Sequence, residues 1–546
     1  MDATLATTST QQDHLLFLLP AATSTFLSPL LAVLLLAASL LWLFPGGPAW
    51  AALAISRLLR RRSAAATPPP GAPGVLTALA GPAAHRSLAS LSRSLPGGAA
   101  LSAFTVGLTT RLVVASRPDT ARELLAGAAF ADRPVKDAAR ELLFHRAMGF
   151  APSGDYWRAL RRLSSAYLFS PRSVAASGPR RAAIGDRMLR QLVLSGGGGG
   201  VVMRRVLHVA SLDHVMATVF GARYDPESPE GVELEEMVKE GYELLGLFNW
   251  GDHLPLLRWL DLQGVRRRCR SLVGRVNVFV SRIIEEHRKK KMMSSGGANG
   301  EPAAGDFVDV LLGLEGEEKL SESDMIAVLW VRNQEQSLII EDCIEMIFRG
   351  TDTVAILLEW AMARMVLHRD IQSKAQAELD AVVGRGGAVS DADVARLPYL
   401  HHVVKETLRV HPPGPLLSWA RLAVHDAVVG GHLVPAGTTA MVNMWAIARD
   451  PEVWGPDPTA FRPERFEEED VSVLGGDLRL APFGAGRRVC PGKTMALATV
   501  HLWLAQLLHR FEWSPAVDGG GVDLSERLGM SLEMEKPLVC KAAPRW

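Results

Sequence analysis

Apolar and polar positions divide the chain into an uncharged head and a long body of helical periodicity. Residues 15–56 contain no charged side chain, and the run 26–44 (FLSPLLAVLLLAASLLWLF) is almost wholly apolar. At a helical rise of about 1.5 Å per residue this run approaches the roughly 30 Å of a bilayer's hydrocarbon core, so it predicts a transmembrane helix. Asp2 and Asp13 precede it, whereas Arg57, Arg60, Arg61 and Arg62 follow it. Basic flanks face the cytoplasm, which puts the N-terminus in the lumen and the rest of the chain in the cytoplasm. A cleaved signal peptide would begin basic and have a shorter apolar run, so a retained single-pass anchor is the expectation. Gly46, Gly47 and Pro48 interrupt the run, and residues 48–55 predict a second, interfacial helix. Residues 67–74 (TPPPGAPG) predict a stiff, extended linker, because proline fixes φ and lacks an N–H. The expected organisation is therefore an anchor over 1–62, a linker over 63–75 and one large domain over 76–546.

Beyond residue 75 most segments repeat their apolar positions at helical spacing. The stretches 195–200 (SGGGGG) and 292–305 (MMSSGGANGEPAAG) have nothing to bury and predict exposed loops. Strand-like patterns occur near 101–115 and 428–442, with Gly430, Gly431, Pro435 and Gly437 as turn residues. The fold class expected is mainly α with a minor β-sheet, preceded by the N-terminal transmembrane helix.

Composition narrows the chemistry. Hydrophobic residues make up 48% and charged residues 21%, enough for a sizeable core, and the net charge of +1 gives no basic field for nucleic acid. Cys269, Cys343, Cys490 and Cys540 lie far apart with no C-x-x-C pair, which argues against a disulfide framework and a zinc ribbon. Of these, Cys490 has the special neighbourhood, residues 482–492 (PFGAGRRVCPG), with a helical pattern starting just after it. A thiolate beside a large cofactor needs a backbone that approaches closely, hence glycine. It also needs N–H groups and a helix N-terminus aimed at the sulfur.

The string Phe483-x-x-Gly486-x-Arg488-x-Cys490-x-Gly492 resembles the haem-binding signature of the cytochrome P-450 superfamily at every fixed position. The resemblance implies the P-450 fold, with haem b as cofactor and the Cys490 thiolate as its metal ligand. Three further motifs follow in the family's order. Glu406-Thr407-Leu408-Arg409 and Pro463-Glu464-Arg465-Phe466 resemble the segments whose Glu406, Arg409 and Arg465 form a buried structural cluster behind the haem. Trp157-x-x-x-Arg161 resembles the helix that binds a haem propionate, and Arg488 and Arg421 match further propionate partners. Gly350-Thr351-Asp352-Thr353 resembles the oxygen-activation motif, in which Asp352 and Thr353 relay protons. Arg349 stands where the family usually has a small residue, and Val354 where Thr or Ser is common. Residues 130–134 (FADRP), 148–164 and 348–353 resemble one plant group in particular, the leaf-initiation-rate and organ-size oxygenases.

By that resemblance the chain is a monooxygenase of the endoplasmic reticulum membrane. Its electrons come from NADPH through a separate flavin reductase, since no Gly-rich dinucleotide fingerprint appears. Phe348, Gly350 and the stretch 415–419, Leu416 and Leu417 among it, are the expected substrate contacts. The substrate would be lipophilic, with a fatty acid or a derived growth-related signal suggested. Two other readings stand beside this one: a peroxide-rearranging isomerase or lyase, whose members tend to lack the Asp-Thr pair, and a haem-binding sensor without turnover. One stretch departs from the family. Residues 331–344 (VRNQEQSLIIEDCI) stand between 323–330 and 345–348, which the family joins directly. Their polar front half predicts an insert that bulges out, or a helix that breaks near 333–337 before Glu345.

Overall fold

The computed structural model describes residues 29–546 except 30, 34–35, 37–38, 60–65, 73–74, 98–99, 108, 143–146, 196–199, 255–257, 295–305, 313–334, 418–419 and 518–520. The helices that position the site are α1 (Pro48–Leu59), α2 (Asp155–Tyr167), α3 (Gly178–Ser195), α4 (Met203–Val219), α5 (Glu335–Leu367), α6 (Pro398–Val410) and α7 (Lys493–Arg510). Between Ala355 and Val366, α5 carries charge only at Glu359 and Arg364, and a helix apolar on all sides belongs in a core. Trp360, Ala361, Met362 and Ala363 are accordingly fully buried, against Trp503 and Leu504 of α7. Helices α3 and α4 complete the bundle around α5. α6 is amphipathic instead, burying Leu400, Val403, Val404 and Leu408.

The expected strands are present. Leu101–Val106 and Thr110–Ala115 pair antiparallel, Thr439–Val442 joins the latter in parallel, and Arg421–Leu422 lies at the edge. Ala427–Val429 and His432–Val434 form a hairpin whose turn residues, Gly430 and Gly431, both have positive φ, as its tight return requires. A second small sheet of Phe511–Pro515, Val539–Pro544 and Val201–Val202 was not foreseen from the sequence. Its strands are short and lie far apart in the chain.

Among the described residues no helix is long and apolar enough to cross a membrane, and part of the span 26–44 lies outside them. Helix α1, expected to lie at the membrane surface, docks one face on the sheet and leaves Ile55 and Leu58 exposed. Trp50 is 1% exposed, and its Nε1 donates to the Phe104 carbonyl at 2.9 Å. The Thr105 hydroxyl donates to the Gly46 carbonyl at 2.6 Å and accepts from the Ala49 N–H at 3.3 Å. Gly46 permits this turn with φ of 85°, and a Cβ there would stand 2.8 Å from the Trp50 ring. The proline-rich linker is extended as expected but stitched to the sheet: Ala103 N–H donates to the Pro70 carbonyl at 2.8 Å, and Leu433 N–H to Thr67 at 2.9 Å.

The insert behaves differently from expectation over its second part. Residues 335–344 are helical and continuous with the rest of α5, with no bulge ahead of Glu345. The described part of the helix begins at Glu335, so residues 335–337 of the window expected for a break are helical, and residues 331–334 lie outside the described residues.

Candidate functional site

The Cys490 loop is shaped by two glycines and one hydrogen bond. Gly484 and Gly486 have φ of 69° and 66°, the left-handed region that side chains avoid. A Cβ at Gly486 would lie 2.1 Å from the Leu125 carbonyl oxygen, so the loop rests directly on the helix Pro118–Ala126. The Cys490 N–H donates to the Phe483 carbonyl at 2.9 Å and closes the loop, and α7 begins at Lys493. Cys490 lines a cavity of about 300 Å³ together with Phe483, Gly484, Arg488 and Gly492, while Thr353, Val354 and Leu357 of α5 also line it. Cys269 and Cys540 are buried away from this cavity, and burial pushes each thiol up to about 12. The side chain of Cys343 lies outside the described residues.

Four arginines line the cavity, Arg133, Arg161, Arg421 and Arg488, and among the described residues no acid does. Arg161 Nη1 donates to the Val489 carbonyl at 2.9 Å, just before the cysteine. Arg488 donates from Nε to Ala131 at 2.8 Å and from Nη2 to Ala151 at 2.6 Å, with its guanidinium 4.2 Å from the Trp157 ring centre. Trp157 spends its one N–H on the Met148 carbonyl at 3.1 Å, so it serves the cradle through its ring. Arg421, on its edge strand, reaches the Ala485 carbonyl at 3.2 Å. Burial, then the charges of Arg488 and Arg161, pull its pKa down to about 9. Asp132, 3.8 Å from Arg488, stands near this group as a counter-charge, and the two propionates of a haem fit the remaining demand for anions. Arg133 was missed as a site residue. The signal was present in FADRP, but a single arginine before a proline carries no chemistry until the fold brings it beside the others.

Across the cavity, α5 contributes residues 350–353, which resemble the oxygen-activation motif. Thr353 lines the cavity; Asp352 does not. Asp352 Oδ1 instead lies 3.2 Å from Nδ1 of His208 on α4. Burial raises the Asp352 carboxyl to about 8, with Glu533 adding to the effect and Arg204 opposing it. Gly350 also lines the cavity, and a Cβ there would stand 2.9 Å from Val215, so the glycine lets α4 and α5 approach. Leu417 faces the cavity from a left-handed backbone, φ 51°, which is uncommon for a branched side chain. Leu416 does not line it: this side chain packs into the cluster of Val75, Leu88 and Phe104. Phe348 lies on α5, its side chain outside the described residues.

The structural cluster forms as expected. Arg409 pairs with Glu406, and Arg465 Nε stands 3.4 Å from the same carboxylate. The remaining guanidinium hydrogens of Arg409 reach the carbonyls of Ala448, Pro458 and Ala460. The cluster thereby ties α6, whose Leu408 lines the cavity, to the segment that leads towards the cysteine loop.

Comparison with known proteins agrees with this geometry. The family model "Cytochrome P450" matches residues 103–541. Cytochrome P450 78A5 of Arabidopsis thaliana is 54% identical over 510 residues, covering 92% of each chain. Cytochrome P450 78A11 of Oryza sativa subsp. japonica is 52% identical over 518 residues, covering 92% of this chain and 89% of the relative. A zebra fish cytochrome P450 structure with progesterone superposes with a TM-score of 0.68 at 26% identity, over 85% of this chain and 99% of that one.

Proposed function

The chain belongs to the cytochrome P450 family, within its plant 78A group, and is a haem-thiolate monooxygenase; we propose that it hydroxylates a lipophilic small molecule with electrons supplied by an NADPH-dependent flavin reductase. The observation that carries the reading is the pairing of one cysteine loop with four arginines, Arg421 and Arg488 buried and Arg133 and Arg161 partly so, around a largely apolar cavity. Bound there, the haem supplies oxygen activation and C–H oxidation.

The residues of the chain have separable tasks. Cys490 presents its sulfur to the cavity just ahead of the N-terminus of α7, where the helix dipole favours negative charge. Arg133, Arg161, Arg421 and Arg488 would hold the cofactor's carboxylates. Val215, Val219, Val354, Leu357 and Leu417 give the cavity an apolar lining that excludes water and accepts a hydrocarbon surface. Asp352, held protonated near neutral pH by burial, is a proton donor, and Thr353 carries the hydroxyl on the cavity side.

A fatty acid or a derived growth-related signal suits that lining. The similar zebra fish structure was determined with progesterone, itself lipophilic. The uncharged head and the arginines after it support a single-pass anchor in the endoplasmic reticulum membrane with a lumenal N-terminus. The test is reconstitution of the full chain with flavin reductase and NADPH, followed by mass spectrometry of lipid extracts offered as substrate. Products one oxygen atom heavier, dependent on NADPH, are expected. NADPH-independent rearrangement products would replace this reading with the isomerase.

A further inference from the structure

Asp352 turns away from the cavity it is read to serve. Its partner, His208, sits on α4 and keeps 32% of its side chain exposed, against 12% for Asp352. The pair therefore leads from the protein surface to the back of the oxygen-activation motif, while Thr353, the next residue along α5, opens on the cavity.

The charged groups around the pair are fixed by their own contacts. Arg204 lies one turn before His208 on α4. Its Nε reaches Glu359 of α5 at 2.9 Å, its Nη1 reaches Glu533 at 3.2 Å, and its Nη2 donates to the Met534 carbonyl at 2.6 Å. Glu533 lies on the strand Leu532–Met534, and Glu359 also accepts from the Leu538 N–H at 2.9 Å. Arg204 is thus spent on two other carboxylates, and among the described residues Asp352 is left with His208 as the ionisable side chain within ion-pair reach. Burial, then Arg204, lowers His208 to about 4, while burial and Glu533 raise Asp352 to about 8. Around neutral pH the two side chains hold one proton between them, resting on the carboxyl.

We propose that His208 is a positioning residue for Asp352, holding its carboxyl behind Thr353 and reloading it with protons from solvent. The inference rests on the reading of Asp352 and Thr353 as the proton source. Each cycle takes one proton from solvent at the exposed edge of the imidazole and delivers one to the Asp352 carboxylate, the ring ending as neutral as it began. Asp352 does not line the cavity and keeps only 12% of its side chain exposed, so the more exposed imidazole beside it is the readier entry for protons.

The experiment uses the full-length holoenzyme with flavin reductase and compares wild type, His208→Gln, Asp352→Asn and the double variant. His208→Gln should keep the haem content, raise peroxide released per NADPH consumed by about tenfold, less than the roughly 10²-fold loss expected for the acid itself, and change the pH dependence of that ratio. In the Asp352→Asn background the same change should add nothing, because a residue acting through Asp352 has no route without it. A second readout needs no turnover. The infrared carbonyl band of the protonated Asp352, identified by its loss in Asp352→Asn, should shift in His208→Gln. An unshifted band with wild-type coupling, or additive effects in the double variant, would overturn the proposal. If Asp352→Asn uncouples and His208→Gln does not, only the role of His208 falls. If Asp352→Asn itself leaves coupling unchanged, the relay reading falls and takes this inference with it. His208→Asn serves as the second variant should the glutamine fail to fold.

Discussion

Arg409 clasps Glu406 with two parallel hydrogen bonds of 2.7 Å, Nε to Oε2 and Nη2 to Oε1, and neither side chain has any exposed surface. The same carboxylate accepts the Arg462 N–H at 2.8 Å and stands 3.4 Å from Arg465 Nε. One buried anion thus compensates two guanidiniums.

Removing that anion should be costly. Glu406→Ala leaves Arg409 and Arg465 buried without a counter-charge, a loss of about 3–5 kcal/mol for a buried pair broken on one side. We expect a lower midpoint in urea and poor haem incorporation. Lys374→Ala breaks a pair with Glu464 whose side chains are 47% and 35% exposed, and should cost less than about 1 kcal/mol of stability, a correspondingly small change in midpoint. Equal midpoints for the two variants would refute the structural role of the cluster.

Cys490→Ser should abolish the thiolate signature of the reduced carbon-monoxide spectrum. Cys269→Ala and Cys540→Ala should keep it. Both of those thiols are fully buried away from the cavity, and burial holds them protonated, whereas ligation needs an accessible thiolate. Loss of the band in either alanine variant would overturn the ligand assignment.

Asp352 also sets a pH signature on stability. Its folded-state pKa of about 8 lies above its ordinary value of 3.8, so between those values the folded protein binds more protons than the unfolded chain. Stability from this group is therefore present at low pH and is lost as pH rises towards about 8. Asp352→Asn removes the dependence. Its melting temperature should gain on wild type as pH rises from about 5 to about 8 and stay level above that, while turnover falls by roughly 10²-fold. Thr353→Ala, which lacks the hydroxyl on the cavity side, should retain haem but divert NADPH to peroxide. Parallel melting curves for Asp352→Asn and wild type across that range would refute the buried, protonated carboxyl.

The residues legible in sequence were those whose spacing within one segment expresses their task. The cysteine loop needs its glycines at fixed offsets, and Glu406 and Arg409 sit one helical turn apart, so both could be read without a fold. Arg465 and Arg421 came only through resemblance. His208 had no local signal and Arg133 only a weak one within FADRP, since a lone histidine on a helix and an arginine before a proline acquire their meaning from what is packed opposite. Leu416 shows the converse: adjacent to Leu417 in an expected substrate segment, it points into a different cluster. Hydropathy could not divide the faces of α1. An apolar segment next to an anchor looks like membrane throughout, yet Trp50 is covered by the sheet while Ile55 and Leu58 stay exposed.

That last point fixes where the anchor can be cut. Trp50 fills the cluster formed by Leu101, Ala103, Val113 and Ala440, and its indole N–H is satisfied by the Phe104 carbonyl. Deleting residues 1–44 removes the apolar run and leaves α1 in place, so the product should be a soluble or peripheral domain with full haem content. Deleting residues 1–62 strips α1 from the strand Leu101–Val106 and uncovers the apolar surface beneath Trp50. A large-to-small change at a buried tryptophan costs about 3–5 kcal/mol. Loss of the whole helix also frees Thr105 from the Gly46 carbonyl and the Ala49 N–H. The shorter protein should melt earlier, aggregate and hold less haem, and Trp50→Ala in the full chain should reproduce most of the loss of stability. Equal melting temperatures and haem content for the two truncations would mean that α1 contributes nothing to the domain.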